Sequence, residues 1–224
     1  MEVLSRNITT MRGTFLFPRL NTAEMPPYAG YEGPPLYSCT LRVKAEDAQP
    51  LMDELDELFD ENIKLSKKEH GARKVKEADR PYTPEFDRDT DEETGFILFR
   101  TKLPSLVTRR RDGKTFALRP DIFDAKGNPT DVEVGPGTVG KLRVEARSWY
   151  MEATKQAGIK LTVRAAQIID LRQHAGGGDA SSHGFGEEEG WETGASTAGF
   201  RDETEGSEES TESKEVKDDK GGNF

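Results

Sequence analysis

Val139-Gly-Lys-Leu-Arg-Val-Glu-Ala-Arg-Ser-Trp-Tyr150 alternates along its length. Leu142, Val144 and Ala146 share one side; Lys141, Arg143, Arg147 and Trp149 share the other, interrupted only by Glu145. An amphipathic helix repeats about every 3.6 residues and a strand about every two, so the segment reads as a long, half-buried strand. Three cations and an indole then project from one surface. Downstream, Ile159–Leu171 is a second long strand with Lys160 and Arg164 on its polar side. Upstream, Phe96–Leu103 puts Arg100 and Lys102 on the side of Phe96. Lys114–Arg119 is a shorter strand candidate, beside the loop cations Arg109, Arg110 and Arg111.

The N-terminal half adds a strand at Thr14–Leu20, an irregular Pro/Gly/Tyr-rich loop from Pro26 to Pro35, and a strand at Tyr37–Lys44. In the last, Cys39, Leu41 and Val43 alternate with Ser38, Thr40 and Arg42. Glu46 to about Glu69 is the one convincing helix: Leu51, Leu55, Leu58, Phe59 and Ile63 form an apolar stripe, and carboxylates fill the other face. Pro50 is tolerated because it falls in the first turn. Residues 70–95 are polar, with Pro81, Pro84 and the charged run Asp87–Glu93, and read as an excursion between elements. Asp124-Ala-Lys-Gly-Asn-Pro129 is a turn. Five or more strands with one helix predict a mostly β chain, a small barrel with an inserted helix.

Charge is distributed unevenly. Residues 176–224 hold 14 Asp+Glu against 4 Lys+Arg, which equals the net charge of −10 for all 224 residues. This glycine-rich segment is too poor in large apolar side chains to offset its ordering entropy and is expected to be a disordered tail on a core of residues 1–175. Its last residue is Phe224, an aromatic anchor with a free carboxylate on an acidic tether. Within the core, residues 96–172 carry 15 basic and 8 acidic residues, whereas residues 1–95 carry 13 and 20. A basic face on a neutral domain attracts phosphates, and rings interleaved with cations suit single-stranded nucleic acid.

Other chemistries find less support. No run of about 18 apolar residues suggests a membrane span, and the N-terminus has no signal-like apolar stretch, so a cytoplasmic protein is expected. Cys39 is the single cysteine and fits a reducing compartment. Gly135-Pro-Gly-Thr-Val-Gly140 has the spacing of a dinucleotide-binding loop, but it leads into an alternating strand rather than a helix. His70, His174 and His183 lack metal-ligand spacing. Asp121, Asp124, Asp131 and Glu133 keep open the alternative of a metal-dependent nuclease, and the tail that of an interaction adaptor. No cofactor is expected.

The order of these segments resembles the single-stranded DNA-binding protein of short-tailed, coli-type phages. The parallels run from Tyr37-Ser-Cys-Thr-Leu-Arg-Val43 and its acidic helix through Phe96–Leu103, Asp124-Ala-Lys-Gly127 and Lys141-Leu-Arg-Val144. They continue through Gly158-Ile-Lys-Leu-Thr-Val163, Ala166–Leu171 and Gly176-Gly-Gly-Asp179 to the acidic tail ending in Phe. The resemblance implies an OB-fold-like five-stranded barrel that forms homodimers, coats single-stranded DNA and serves replication, recombination, repair and annealing without catalysis. It places Arg100 and Lys102 on the family's basic strand and makes Trp149 or Tyr150 the stacking aromatic; the charge pattern of the sequence adds Lys114, Lys141, Arg143, Arg147 and Arg109–Arg111 as expected DNA contacts. It implies that the tail, through Phe224 with Asp218 and Asp219, contacts the replicative DNA polymerase and the primase-helicase. The extra Arg cluster within residues 104–111, the absence of a cation at Pro34-Pro35, and Lys214, Lys217 and Lys220 in the tail depart from the family pattern.

Overall fold

A computed structural model describes residues 3–27, 30–71, 74–109 and 111–173. These belong to one compact unit spanning residues 1–176. The acidic tail lies outside the described residues, and so do the expectations attached to Asp218, Asp219 and Phe224. The chain begins with β1 (Ser5–Thr9), β2 (Gly13–Glu24), β3 (Leu36–Lys44) and helix α1 (Ala45–His70). β4 (Lys76–Glu77), β5 (Tyr82–Phe86), β6 (Glu93–Pro104), β7 (Leu106–Thr108), β8 (Thr115–Ala117) and β9 (Asp121–Phe123) follow. Two long strands, β10 (Val139–Met151) and β11 (Gln156–Asp170), complete the order. β2, β3, β6, β11 and β10 are hydrogen-bonded in that sequence and β10 returns to β2, so five strands form a ring. With one helix among the described residues, this is the OB-fold-like architecture that the sequence suggested.

Alternation fills the ring. Leu142, Val144 and Ala146 of β10 point inward with Ile159, Leu161 and Val163 of β11. Cys39, Leu41 and Val43 of β3 join them, with Phe99 and Leu103 of β6 and Phe15 and Leu20 of β2. A fully buried side chain of this kind contributes about 1.5–3 kcal/mol of transfer free energy. The stripe Leu51, Leu55, Leu58, Phe59 and Ile63 is buried as expected, and α1 packs mainly on β11 and β10. Pro50, however, lies inside the helix rather than in its first turn, because α1 already begins at Ala45. The helix ends where Gly71, at φ 92°, donates its N–H to the Lys67 carbonyl at 3.0 Å. A positive φ there favours glycine.

Closure of the ring requires two other glycines. Gly13 of β2 pairs with Gly140 of β10. A Cβ on Gly140 would lie 2.4 Å from the Gln167 carbonyl oxygen and 2.7 Å from Phe15 Cζ, and one on Gly13 would lie 2.7 Å from the Arg42 carbonyl oxygen. Gly135–Gly140 therefore serves backbone approach, and it enters β10, not a helix.

Several boundaries differ from the sequence reading. Residues 70–95 contain β4 and β5, and β5 pairs antiparallel with β6 from Tyr82↔Phe99 to Phe86↔Glu93. The strand expected at Lys114–Arg119 shrinks to Thr115–Ala117, which pairs with β7 in a separate two-stranded hairpin. Its three residues are all exposed, so it has no core to extend it. β1, unmarked in the sequence reading, flanks β10 from Ser5↔Arg147 to Thr9↔Arg143.

A buried polar contact locks the helix to the ring. Asn62, with no exposed surface, donates through Nδ2 to the carbonyl oxygens of Gly158 at 3.0 Å and Trp149 at 3.3 Å. Both acceptors lie on the β10–β11 hairpin. Asn62→Leu leaves these carbonyls without their donor, at a cost of about 1–3 kcal/mol. The expected result is a melting temperature lowered by roughly 2–4 °C per kcal/mol, read by circular dichroism.

Candidate nucleic-acid interface

Strand register brings distant cations together. β6 and β11 run parallel with Leu161 beside Thr101, so Lys160 and Arg100, each one residue earlier, lie side by side. β10 then places Arg147 directly opposite Lys160. All three side chains are exposed, and none makes an ion pair among the described residues. Strands are spaced by about 4.8 Å, so these cations form a row across the outside of the ring.

Beside the row runs an open groove of about 440 Å³, lined by Arg100, Lys102, Lys160, Tyr31, Tyr82 and Leu98. The sequence reading supplied Arg100, Lys102 and Lys160 but not the rings. Tyr31 comes from the irregular loop and holds its place by donating its hydroxyl to the Pro34 carbonyl at 2.8 Å. Tyr82 comes from the polar excursion; its hydroxyl donates to Asp56 at 2.7 Å. Neither position shows alternation that would mark it. Arg80 also borders the groove but is committed, lying 2.9 Å from Asp56 and stacking over Phe59 at 3.7 Å. The row continues at Lys160 into a second depression with Arg147, Trp149 and Tyr150.

The four outward residues of β10 do not act as one patch. Arg147 and Trp149 lie at the Lys160 end, while Lys141 and Arg143 line a separate hollow with Thr9, Phe123 and Gln167. Glu145 divides them: it accepts hydrogen bonds from Ser5 at 3.0 Å and from Arg164. Burial raises the Glu145 pKa, but the hydrogen bonds from Arg164 and Ser5 outweigh it and hold the carboxyl below its ordinary value. Arg164 is thereby neutralised. Arg143 donates to the Thr9 hydroxyl at 3.0 Å.

The two candidate stacking rings differ as well. Trp149 lies half-buried against its cross-strand partner Gly158, where an added Cβ would come within 2.8 Å of the indole. Tyr150 stacks on His70 with ring centroids 3.9 Å apart and packs against the core, so the structure assigns it an internal contact. Of the loop cations, Arg109 pairs with Asp112 at 3.3 Å and covers the Phe116 ring at 4.5 Å, and Arg111 and Lys114 are exposed. Arg110 lies outside the described residues. The β7–β8 hairpin that carries these groups follows Pro104, which lines the groove.

The acidic residues near the turn serve local geometry. Asp124 accepts from the backbone N–H groups of Lys126 and Asn128, both at 2.8 Å, and Asp131 pairs with Arg119 at 3.0 Å. Among the described residues no three His, Cys, Asp or Glu groups come together as metal ligands, and no helix is long and apolar enough to cross a membrane. At the other end of the sheet, Arg42 donates bidentately to Glu85 at 2.8–2.9 Å and lies over the Phe96 ring at 3.4 Å. Arg42 and Phe96 are thus tied down.

The fold has counterparts of known structure. The single-stranded DNA-binding protein gp2.5 of bacteriophage T7 superposes with a TM-score of 0.63 at 21 % identity, covering 85 % of this chain and 100 % of that one. The C-terminally truncated single-stranded DNA-binding protein of bacteriophage Enc34 gives a TM-score of 0.52 at 16 % identity, covering 75 % and 87 %. The Enc34 protein in complex with single-stranded DNA gives 0.50 at 18 % identity, covering 76 % and 89 %. The likeness is one of fold. No protein-family model matches the chain, and no curated protein matches it.

The Arg42–Glu85 pair makes an acid-dependent contribution to stability. The hydrogen bonds from Arg42 hold the Glu85 carboxyl below its ordinary value of 4.5. A lowered folded pKa adds stability at pH above the ordinary value and loses it as pH falls through the folded one. Glu85→Gln should therefore melt below wild type at neutral pH, with the gap closing as pH drops below 4.5. Thermal melts across that range check it.

Proposed function

We propose that this chain is a non-enzymatic phage protein that binds and coats single-stranded DNA. The observation that carries the reading is the exposed row Arg100, Lys160 and Arg147 beside a groove with Tyr31 and Tyr82. Cations on neighbouring strands can follow a phosphate backbone, and aromatic faces stack on bases whatever their identity, at about 1–3 kcal/mol each. Tyr31 and Tyr82 are half-buried, and Tyr82 offers the groove only the face that the core and Phe99 leave open. The fold shared with the T7 and Enc34 single-stranded DNA-binding proteins, one of them solved with single-stranded DNA, supports the same reading. Lys102 and Trp149, with the hairpin cations Arg109, Arg111 and Lys114, are further DNA contacts in this reading, and so is Arg110 on its charge alone. Lys141 and Arg143 form a flanking contact.

The chain coats DNA as a homodimer in the host-cell cytoplasm during replication, recombination and annealing. Its acidic segment 176–224 competes with DNA for the cationic row, and Phe224 with Asp218 and Asp219 recruits the polymerase and primase-helicase. The support for these roles is the resemblance of the whole chain together with the net −10 of the tail against +7 across residues 96–172.

The test is binding to oligo-dT, duplex DNA and RNA over a range of salt. For single strands log K falls with log salt at a slope near −0.7 per neutralised phosphate. Arg100→Ala or Lys160→Ala should each reduce the slope by about that amount, while Trp149→Ala should weaken binding with little change of slope. A salt-independent affinity would reject the reading.

Deleting residues 176–224 tests the competition separately. A tethered polyanion acts at high effective concentration and is screened by salt. The truncated chain should bind oligo-dT more tightly at low salt, with a gain that shrinks as salt rises. Equal affinity at every salt concentration would remove the tail from the mechanism.

A further inference from the structure

Phe17 is 73 % exposed, the most exposed large apolar side chain among the described residues, and its backbone lies at φ 47°. Both features cost free energy. The left-handed region crowds a Cβ against the backbone and is normally taken by Gly, Asn or Asp. A bare phenyl ring also forgoes the burial that Phe15 and Phe99 reach at 0 % and 1 % exposure.

The backbone conformation has a clear origin. β2 pairs with β3 at Leu16↔Thr40 and again at Arg19↔Ser38, so Phe17 and Pro18 together oppose Cys39. Two residues against one make a β-bulge. The bulge lets Phe15 and Leu20, five positions apart, both point inward. The ring thus needs a bulge here, but nothing in the fold needs a phenyl group on it. Asparagine or glycine would adopt this φ at less cost.

The register shows what the exposed ring faces. Ser38 and Thr40, the neighbours of the bulge on β3, pair across the sheet with Lys102 and Arg100 of β6. Ser38 and Thr40 on β3, paired with Arg19 and Leu16 of β2, thus stand between the bulge and those two cations. Two strand spacings amount to about 10 Å. A strand whose phosphates rest on Arg100 and Lys102 can therefore turn bases over Ser38 and Thr40 onto an aromatic ring, on the side of β6 away from Lys160.

We infer that Phe17 is a base-stacking residue for single-stranded DNA lying across β3. The inference rests on the proposed DNA-binding function and adds a contact on β2. The bulge holds the ring clear of the core, so stacking recovers the burial that the free protein lacks. It predicts an unusual combination: removing the side chain should leave stability intact and weaken binding.

The experiment uses the full chain as wild type, Phe17→Asn and Phe17→Tyr. Thermal melting, oligo-dT affinity over a salt series and sedimentation are measured for each. Phe17→Asn should melt at or above the wild-type temperature, bind oligo-dT about tenfold more weakly, and keep the wild-type salt slope. Phe17→Tyr, which retains a ring, should bind within about twofold of wild type. If wild type binds and Phe17→Asn binds equally well, the stacking role is overturned while the DNA-binding function stands. A lower melting temperature with proportionate loss of binding makes Phe17 a folding residue and overturns it too. Conversion from dimer to monomer with unchanged DNA affinity per chain assigns the ring to a second copy of this chain instead. If wild type itself fails to bind oligo-dT, both readings fall.

Discussion

The backbone contact between Gly13 and Gly140 is the constraint on which the architecture depends. It joins β2 to β10, and that pairing is the step that turns a curved sheet into a ring. At this point the Gln167 and Arg42 carbonyls and the Phe15 ring occupy the space that any Cβ would need. Closure buries both faces of the inward residues, gives Asn62 two fixed carbonyls to grip, and removes the long unpaired edges that an open sheet exposes. It also sets the external geometry. Arg100, Lys160 and Arg147 come from strands far apart in the chain and become neighbours only because β6, β11 and β10 are consecutive in the ring.

Electrostatics on this surface is decided by which cations are already engaged. Arg6, Arg42, Arg80 and Arg164 each hold a carboxylate and serve to fasten elements together. Arg6 ties β1 to the helix, and Arg42 ties β3 to β5. The cations of the central row hold none among the described residues, so their field reaches solvent. A desolvated or paired cation stabilises the fold, whereas an unpaired, exposed one attracts a polyanion.

Much of the ring was legible because alternation is a strong signal over long strands. β10 alternates inward and outward over its 13 residues, β11 does so over its 15 except at the bulge where Arg164 is skipped in the pairing with β10, and the helix stripe is regular. β5 escaped notice because Tyr82–Phe86 contains Pro84 and has no buried residue, so pairing with β6 rather than pattern defines it. The site was only half legible for a related reason. Sequence shows where cations fall on a strand, but not that Glu145 would be claimed by Arg164, or Arg42 by Glu85, 43 residues away. Nor does sequence show that half-exposed Tyr150 would stack on His70, 80 positions earlier in the chain. Phe17 carries no propensity signal at all, since a bulge appears only in the register between two strands.

Cys39 sits on β3 opposite this bulge, 1 % exposed, and burial drives its thiol pKa well upward. The thiolate is the nucleophile that attacks thiol reagents, so this sulfur is protected twice, by the lack of access and by the lack of ionisation. It is also the single cysteine in 224 residues. The native protein is therefore inert to alkylation and to oxidative dimerisation through sulfur. Any labelling that occurs reports the moments when β3 leaves its neighbours, which makes the chain its own gauge of how often the ring opens.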